Sequence, residues 1–538
     1  MLRSTVRRYT LPGLAGFVLF NALSMLFTAS LAAQSTDEAQ VPHTPTIIVN
    51  ARLVVLDIVV TGKDGKPVDG LTRKDFQVFE DDKPQNIRSF ESPSAHVLPA
   101  QQGSAGTTVF DPANPASFGQ SPVTILVLDE LNTHFADSSF ARRELRDFLL
   151  KQPQVLSQPA TLLSVYDNNF KSLQGFTRDR DALLRSLEAE PTKYAWKLEE
   201  NGKADHGPIE RLDQSLRALE QIAQSYARIP GRKNLIWVGG GFPTVDMTTL
   251  DSVDAKEVKD TLQHVTNVLL DTRVTMYAVD PSSSAMGMTE IVDATQMAFA
   301  TATGDALSGA LDPFGGNDDF DNLGPVTGGR VVHGMNNITQ QIADSIGLGA
   351  TYYTIGYSPT SSSQAEKKYR KIRVVCLVPG LKATTREGYY VQSSEQEKST
   401  DTLTYDLATA AESSIPLNGV HVTVEPDHSV TSEEESYIVH VSASGLSWKP
   451  ADNGGSSASV AVMAVSLSPK GKMLGHVLHG MTANARAGVD LRDSTRSANF
   501  NITVKLVPKA TVLRFVVRDS ATGRMGSVDL PLEASKAR

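Results

Sequence analysis

The pattern of apolar and polar positions changes twice along the chain and divides it into three parts. Short apolar runs separated by turn sequences predict a small β domain over residues 47–92. Over 122–392, apolar runs alternate with amphipathic segments of helix length, which predicts an α/β domain. Beyond it, several short strand-like segments without helices predict a β-sandwich over 413–535.

The middle part has the clearest periodicity. The run VTILVLD at 123–129 is apolar until its final Asp, which suits a strand buried on both faces. Strands that alternate with helices predict a doubly wound sheet with ligand sites at the carboxyl ends of its strands. Two strand-like segments, YRKIRVVCLV at 369–378 and ATTREGYYV at 383–391, are predicted to extend this sheet at one edge. The segment 208–229 places apolar side chains on one helical stripe: Leu212, Leu216, Leu219, Ala223 and Tyr226.

The segments between these parts have the composition of linkers. Residues 34–46 predict a flexible leader, 93–121 is rich in Gly, Ser, Ala and Pro, and 393–412 is polar. Within the middle part, the Gly- and Asp-rich stretch 305–327 predicts a mobile surface loop.

The N-terminus predicts export. Arg3, Arg7 and Arg8 precede a charge-free apolar stretch that ends in Ser30-Leu31-Ala32, so residues 1–33 have the features of a signal peptide. The mature chain would then be periplasmic, displayed on the outer surface or secreted. The alternative is an uncleaved anchor that holds the chain at a membrane, because the apolar run is long enough for one span.

Charge and cysteine content exclude several classes of function. The chain has 51 Lys and Arg residues against 60 Asp and Glu residues, a net charge of −9, which argues against nucleic-acid binding. The single cysteine, Cys376, excludes disulfides within the chain and Cys-rich metal sites. The sequence motifs do not assemble a nucleophile, a base and an orienting group, so we expect a protein that is not an enzyme.

The strand end ILVLDELNT resembles the first strand of a von Willebrand factor A domain, which ends in Asp-x-Ser-x-Ser and helps to bind a divalent cation. The resemblance implies Asp129, Asn132 and Thr133 as ligands for Mg²⁺ or another divalent ion, which prefers oxygen donors. Leu131 replaces the middle serine, and glycines occupy 239–241 where a carboxylate is expected. We therefore expect weak binding. The alternative is that Asp129 caps its loop, and Asn132 and Thr133 cap the next helix.

Further motifs follow in the order of one family. They are DIVVTGKDGKPVDGLTRKDFQVFEDDKPQNIRSFE, GRKNLIWVGGGFP, RVTMYAVDP, TGGRVV, YYTIGYSP and LRFVVRDSATGRMGSV. From about residue 50 to 535 the chain is thus similar to the VWFA-related proteins found mainly in Acidobacteria. The resemblance implies a doubly wound von Willebrand A-type (Rossmann-like) domain, flanked by a small N-terminal β unit and a C-terminal β-sandwich.

The resulting hypothesis is an exported protein-binding or adhesion module for a protein or cell-surface ligand. Its recognition surface would be the top face of the A-type domain, with a degenerate metal-ion-dependent adhesion site. A secreted or periplasmic hydrolase and a structural scaffold without a ligand are the alternatives.

Overall fold

The computed structural model describes most of the chain after residue 52. The described residues are 53–99, 110–167, 169–199, 207–243, 250–281, 322–334, 337–359, 369–391, 400–427, 434–451 and 454–532. They all belong to one compact unit. The predicted signal peptide, the leader 34–46 and most of the predicted loop 305–327 lie outside them. Among the described helices, none has both the length and the apolar character needed to cross a bilayer.

Strands contain more of the described residues than helices do. The strands are β1 Val54–Thr61, β2 Phe76–Glu80, β3 Lys83–Gln85, β4 Ile87–Glu91, β5 Val123–Asp129, β6 Val155–Tyr166, β7 Asn169–Asp179, β8 Lys233–Val238, β9 Val274–Asp280, β10 Arg330–His333, β11 Tyr353–Tyr357, β12 Tyr369–Cys376, β13 Lys382–Thr384, β14 Gly388–Tyr390, β15 Val422–Asp427, β16 Glu434–Ser442, β17 Lys449–Pro450, β18 Ser456–Leu467, β19 Met473–Ala485, β20 Ser497–Lys505, β21 Val512–Asp519 and β22 Met525–Pro531. The helices are α1 Phe135–Leu150, α2 Arg180–Ala189, α3 Trp196–Glu199, α4 Gly207–Ser225, α5 Ser252–Asp271, α6 Leu323–Val326, α7 Ile338–Ala350 and α8 Thr400–Glu412.

The largest sheet has six strands in the order β10-β9-β8-β5-β6-β7. Its strands are parallel except β7, which runs antiparallel to β6. Helices α4 and α5 pack on one face, and α1, α2 and α7 pack on the other. The predicted stripe on α4 is confirmed, because Leu212, Leu216, Leu219, Ala223 and Tyr226 are all buried.

The N-terminal strands form sheets with strands that follow them by almost 300 residues. One sheet has the order β13-β1-β11-β4 and the other has the order β14-β12-β2-β3. Leu56 and Ile58 on β1 share an apolar cluster with Tyr353 and Ile355 on β11. The two segments predicted to extend the large sheet contribute β12, β13 and β14, which belong to the sheets of the N-terminal strands instead.

The C-terminal strands form two sheets that share one core. The sheet β15-β16-β20 contributes Val439 and Phe500, and the sheet containing β17, β18, β19, β21 and β22 contributes Val462 and Phe515. Helix α8 packs on the other face of β21. Because α8 covers 400–412, the larger part of the predicted linker 393–412 is a helix. In the linker predicted over 93–121, Phe118 is fully buried in the core of the large sheet.

The predicted fold class is wrong. The sequence predicts a doubly wound von Willebrand A-type domain flanked by a small N-terminal β unit and a C-terminal β-sandwich. The chain is instead strand-rich, with several separate sheets, and its six-stranded sheet is mixed. The physical reason is that periodicity identifies a strand but not its partner. The apolar face of β1 is completed by β11, and nothing in the local pattern of either segment indicates that pairing.

Candidate functional site

The loop after β5 is organised around the buried carboxylate of Asp129, which is 1% exposed. Its Oδ1 accepts hydrogen bonds from the backbone N–H groups of Leu131 at 3.0 Å and Asn132 at 2.9 Å. Its Oδ2 accepts one from the Trp237 indole at 3.0 Å and a longer one from the Asn132 side chain at 3.4 Å. Asp129 therefore caps its own loop, as the alternative interpretation predicted.

The environment of this carboxylate is only partly favourable to its charge. Burial raises the pKa of Asp129 to about 6, even though the hydrogen bonds from Asn132 and Trp237 act in the opposite direction. The guanidinium of Arg211 lies nearby and donates to Asn132 Oδ1 at 3.2 Å. Burial lowers the pKa of Arg211, and the charge of Asp129 partly restores it. The positive charge of Arg211 thus already acts on this carboxylate.

Asn132 and Thr133 connect the loop to its neighbours. The Asn132 amide donates to Ser215 Oγ on α4 at 3.0 Å, and Thr133 Oγ1 accepts from the backbone N–H of Gly240 at 2.7 Å. Neither residue caps α1, whose N-cap is His134. The part of the alternative that placed them as helix caps is therefore wrong.

Two glycines after β8 allow the turn that follows this strand to approach the Asp129 loop closely. Gly239 has a φ of +154°, and a Cβ there would lie 2.5 Å from Thr133 Oγ1. A Cβ on Gly240 would lie 2.4 Å from the Asn132 carbonyl oxygen. Any larger residue would push the two loops apart. These glycines form a tight turn against the Asp129 loop.

The three predicted metal ligands are close together, but their oxygens are already engaged. Both oxygens of Asp129 accept hydrogen bonds, Thr133 Oγ1 accepts from Gly240, and Asn132 Oδ1 accepts from Arg211. Magnesium requires near-octahedral oxygen coordination, and the nearby guanidinium opposes any added cation. The arrangement therefore does not fit the predicted Mg²⁺ site.

An exposed aromatic patch, formed by Phe135, Tyr194 and Trp196, lies beside this loop. The exposed fractions of these residues are 44%, 42% and 59%. The Tyr194 ring centroid lies 6.1 Å from that of Phe135 and 4.6 Å from that of Trp196. Phe135 begins α1 directly after the loop, and Tyr194 and Trp196 follow α2. The sequence analysis missed this patch, although two aromatic residues within the polar segment TKYAWKLEE were a visible signal.

The buried carboxylate of Glu130 holds the patch in place. Its Oε1 accepts from the Lys193 backbone N–H at 3.1 Å and from the Arg142 guanidinium at 3.2 Å. Its Oε2 accepts from Ser164 Oγ at 2.9 Å. Glu130 therefore fixes the segment before Tyr194 to the end of the sheet.

No protein-family model matches the chain, and no curated protein matches it. Among solved structures, the PilB minor pilin from Streptococcus sanguinis is similar over 43% of this chain at 12% sequence identity, with a TM-score of 0.25. The similar region spans 63% of the pilin chain, which is less than two thirds of its length. At this TM-score the similarity supports neither a fold nor an activity.

Proposed function

We propose that the chain is an exported binding module that recognises a protein through the aromatic patch. The observation that carries this proposal is that the Tyr194 ring contacts both Phe135 and Trp196, while all three side chains stay 42–59% exposed. Scattered exposed apolar residues are ordinary, but a contiguous aromatic group is typical of an interaction surface. Export is proposed from the charge pattern of the N-terminus.

The surroundings of the patch support protein recognition. Trp and Tyr are enriched among the residues that dominate binding energy, because each buries a large area while few rotatable bonds are immobilised. Charged side chains border the patch, and the Lys193 ammonium lies 2.7 Å from Glu190, which also pairs with Lys171. An apolar centre with a charged rim is the usual organisation of a protein interface.

Recognition by this surface is proposed to be independent of metal. The Asp129 loop contributes by its rigidity, since its hydrogen bonds position the start of α1 and Glu130 positions Tyr194. A rigid aromatic surface loses little conformational entropy on binding. Treatment with a chelator should therefore leave binding unchanged.

The test is a photo-crosslinking amino acid at position 194, with the purified chain presented to intact cells and secreted proteins of its source organism. We expect a discrete crosslinked partner at position 194 and none at position 377, where Leu377 is 49% exposed outside the patch. Trp196→Ala should weaken binding about 30-fold, the loss typical of a residue that dominates an interface. Leu377→Ala is the matched control and should bind normally. Equal crosslinking at both positions, or normal binding by Trp196→Ala, would contradict the proposal.

A further inference from the structure

Four ionisable side chains from distant parts of the sequence meet in a buried cluster. Glu220 on α4, His264 on α5 and Asp406 on α8 surround one point, and Arg518 on β21 contacts Asp406. The side chains of Glu220 and Asp406 are fully buried, and that of His264 is 12% exposed. This cluster, which we term the helix cluster, joins the helices on the large sheet to the C-terminal sheets.

The three donor groups of the helix cluster have the spacing of metal ligands. His264 Nε2 lies 2.8 Å from Asp406 Oδ1 and 3.6 Å from Glu220 Oε1. One donor atom from each residue lies within 4.8 Å of the others. Two ligands that are each about 2.1 Å from a tetrahedral zinc ion are separated by about 3.4 Å. Small side-chain adjustments would therefore place all three donors around one ion.

The carboxylate of Glu220 has unused acceptor capacity. Both of its oxygens are buried, and neither has a hydrogen-bond partner within the described part of the chain. An ionised carboxylate in this position is costly unless an ion pair or a metal compensates its charge. Among the described residues, Glu220 is thus a buried acidic group without a hydrogen bond that faces His264 and Asp406.

Neighbouring side chains orient the donors. Arg518 donates from Nε to Asp406 Oδ2, which leaves Oδ1 directed at His264. The buried Arg518 guanidinium pairs with Asp406, so this carboxylate has a compensating positive charge without His264. The ring of Tyr405 meets the His264 ring edge-on, with the centroids 6.3 Å apart. Hydrogen bonds and packing of this kind commonly hold metal ligands in position.

We propose that Glu220, His264 and Asp406 form a binding site for a divalent transition-metal ion, with Zn²⁺ as the best fit. An imidazole with two carboxylates suits zinc, whereas magnesium and calcium select all-oxygen sites. The bound ion would cross-link α4, α5 and α8 and so stabilise the junction with the C-terminal sheets. The competing arrangement is a protonated His264 that forms ion pairs with both carboxylates and leaves no place for an ion.

The experiment uses the full chain after treatment with a chelator. Titration with Co²⁺ should give the visible absorption of tetrahedral cobalt at one equivalent, and Zn²⁺ should abolish it. Glu220→Gln conserves shape and should weaken binding at least tenfold, as should His264→Gln. His440→Gln is the matched control, because His440 Nε2 lies 3.1 Å from Glu425 outside the helix cluster. Zn²⁺ should raise the melting temperature of the wild type and of His440→Gln equally, and raise that of Glu220→Gln by less.

Three results would overturn the proposal. The first is no stoichiometric Co²⁺ or Zn²⁺ binding by the wild type, and the second is binding by Glu220→Gln that equals the wild type. The third is a His264 imidazole that NMR shows to remain protonated in excess Zn²⁺. Circular dichroism identifies any variant that fails to fold. If His264→Gln fails to fold, the Co²⁺ spectrum of the wild type and metal binding by Glu220→Gln decide whether the site exists.

Discussion

The Asp129 loop and the helix cluster each contain a fully buried carboxylate, yet the hydrogen bonding of the two carboxylates differs. The oxygens of Asp129 accept four N–H donors, whereas those of Glu220 accept none within the described residues. Three of the donors to Asp129 come from residues two and three positions along the chain, so they form with the loop itself. The side chains that Glu220 faces, His264 and Asp406, stand on two other helices. A carboxylate whose oxygens accept hydrogen bonds from the neighbouring backbone stabilises its loop. Only a carboxylate whose oxygens accept no hydrogen bond can offer them to an ion.

The largest effect that distinguishes the two regions is expected from Asp129→Ala. The variant leaves the N–H groups of Leu131, Asn132 and Trp237 without their acceptor, so the free energy of unfolding should fall by about 3–5 kcal/mol. Urea denaturation of the wild type and the variant measures this loss in the free energy of unfolding. The exposed N-cap Asp251 of α5 is the control, and Asp251→Ala should cost about 0.5–2 kcal/mol. Equal losses would show that the Asp129 loop is no more than an ordinary cap.

Leu216→Ala tests whether α4 supports both regions. This helix carries Ser215, which contacts Asn132, and Glu220 of the helix cluster. Leu216 is 2% exposed, so the cavity should cost about 2–5 kcal/mol in denaturation experiments. The control Leu150→Ala removes a leucine that is 47% exposed and should cost less than about 1 kcal/mol. An unchanged midpoint for Leu216→Ala would show that α4 is not part of the core.

The pH dependence of stability tests the buried charge of Asp129. Its pKa in the folded state is about 6, above the ordinary value of 3.8, so the folded protein binds this proton more tightly. The contribution of Asp129 is therefore greatest below about pH 4 and falls as the pH rises to about 6, by on the order of 3 kcal/mol. Asp129→Asn does not titrate, so the stability gap between wild type and variant should shrink over this interval. Glu220 titrates in both proteins, so it does not change the stability difference between them. A gap that widens with pH would contradict the assignment.

The smallest effect is expected from Thr133→Val. The variant removes the acceptor of the Gly240 N–H group and should cost about 1–2 kcal/mol, whereas Thr133→Ser keeps the oxygen and should cost less. The loss should be the same with Mg²⁺ and with a chelator, because Thr133 acts as a hydrogen-bond acceptor. A loss that appears only with Mg²⁺ would restore Thr133 as a metal ligand.

The sequence predicted features that depend on neighbouring residues. The strand β5, the apolar stripe of α4 and the capping role of Asp129 all arise from local periodicity or from contacts a few residues apart. The pairing of β1 with β11 could not be predicted, because each strand is a generic apolar run and only the folded chain selects the partner.

The helix cluster could not be predicted from the sequence, because it depends on how distant segments pack. One signal of it was nevertheless present. Glu220 stands between Leu216 and Ala223 at helical spacing, so an acidic residue interrupts the buried face of α4. A charge in that position indicates a compensating partner. The identity of the partners, His264 and Asp406, depends on how α5 and α8 pack, which no local pattern specifies.

Anomalous diffraction tests most directly whether the helix cluster binds zinc and the Asp129 loop does not. Crystals of the chain would be grown with Zn²⁺ and measured at the zinc absorption edge. We predict one anomalous peak about 2.0–2.2 Å from His264 Nε2 and from the carboxylates of Glu220 and Asp406, and none at Asp129. A peak at Asp129, Asn132 and Thr133, or none at the helix cluster, would contradict the account.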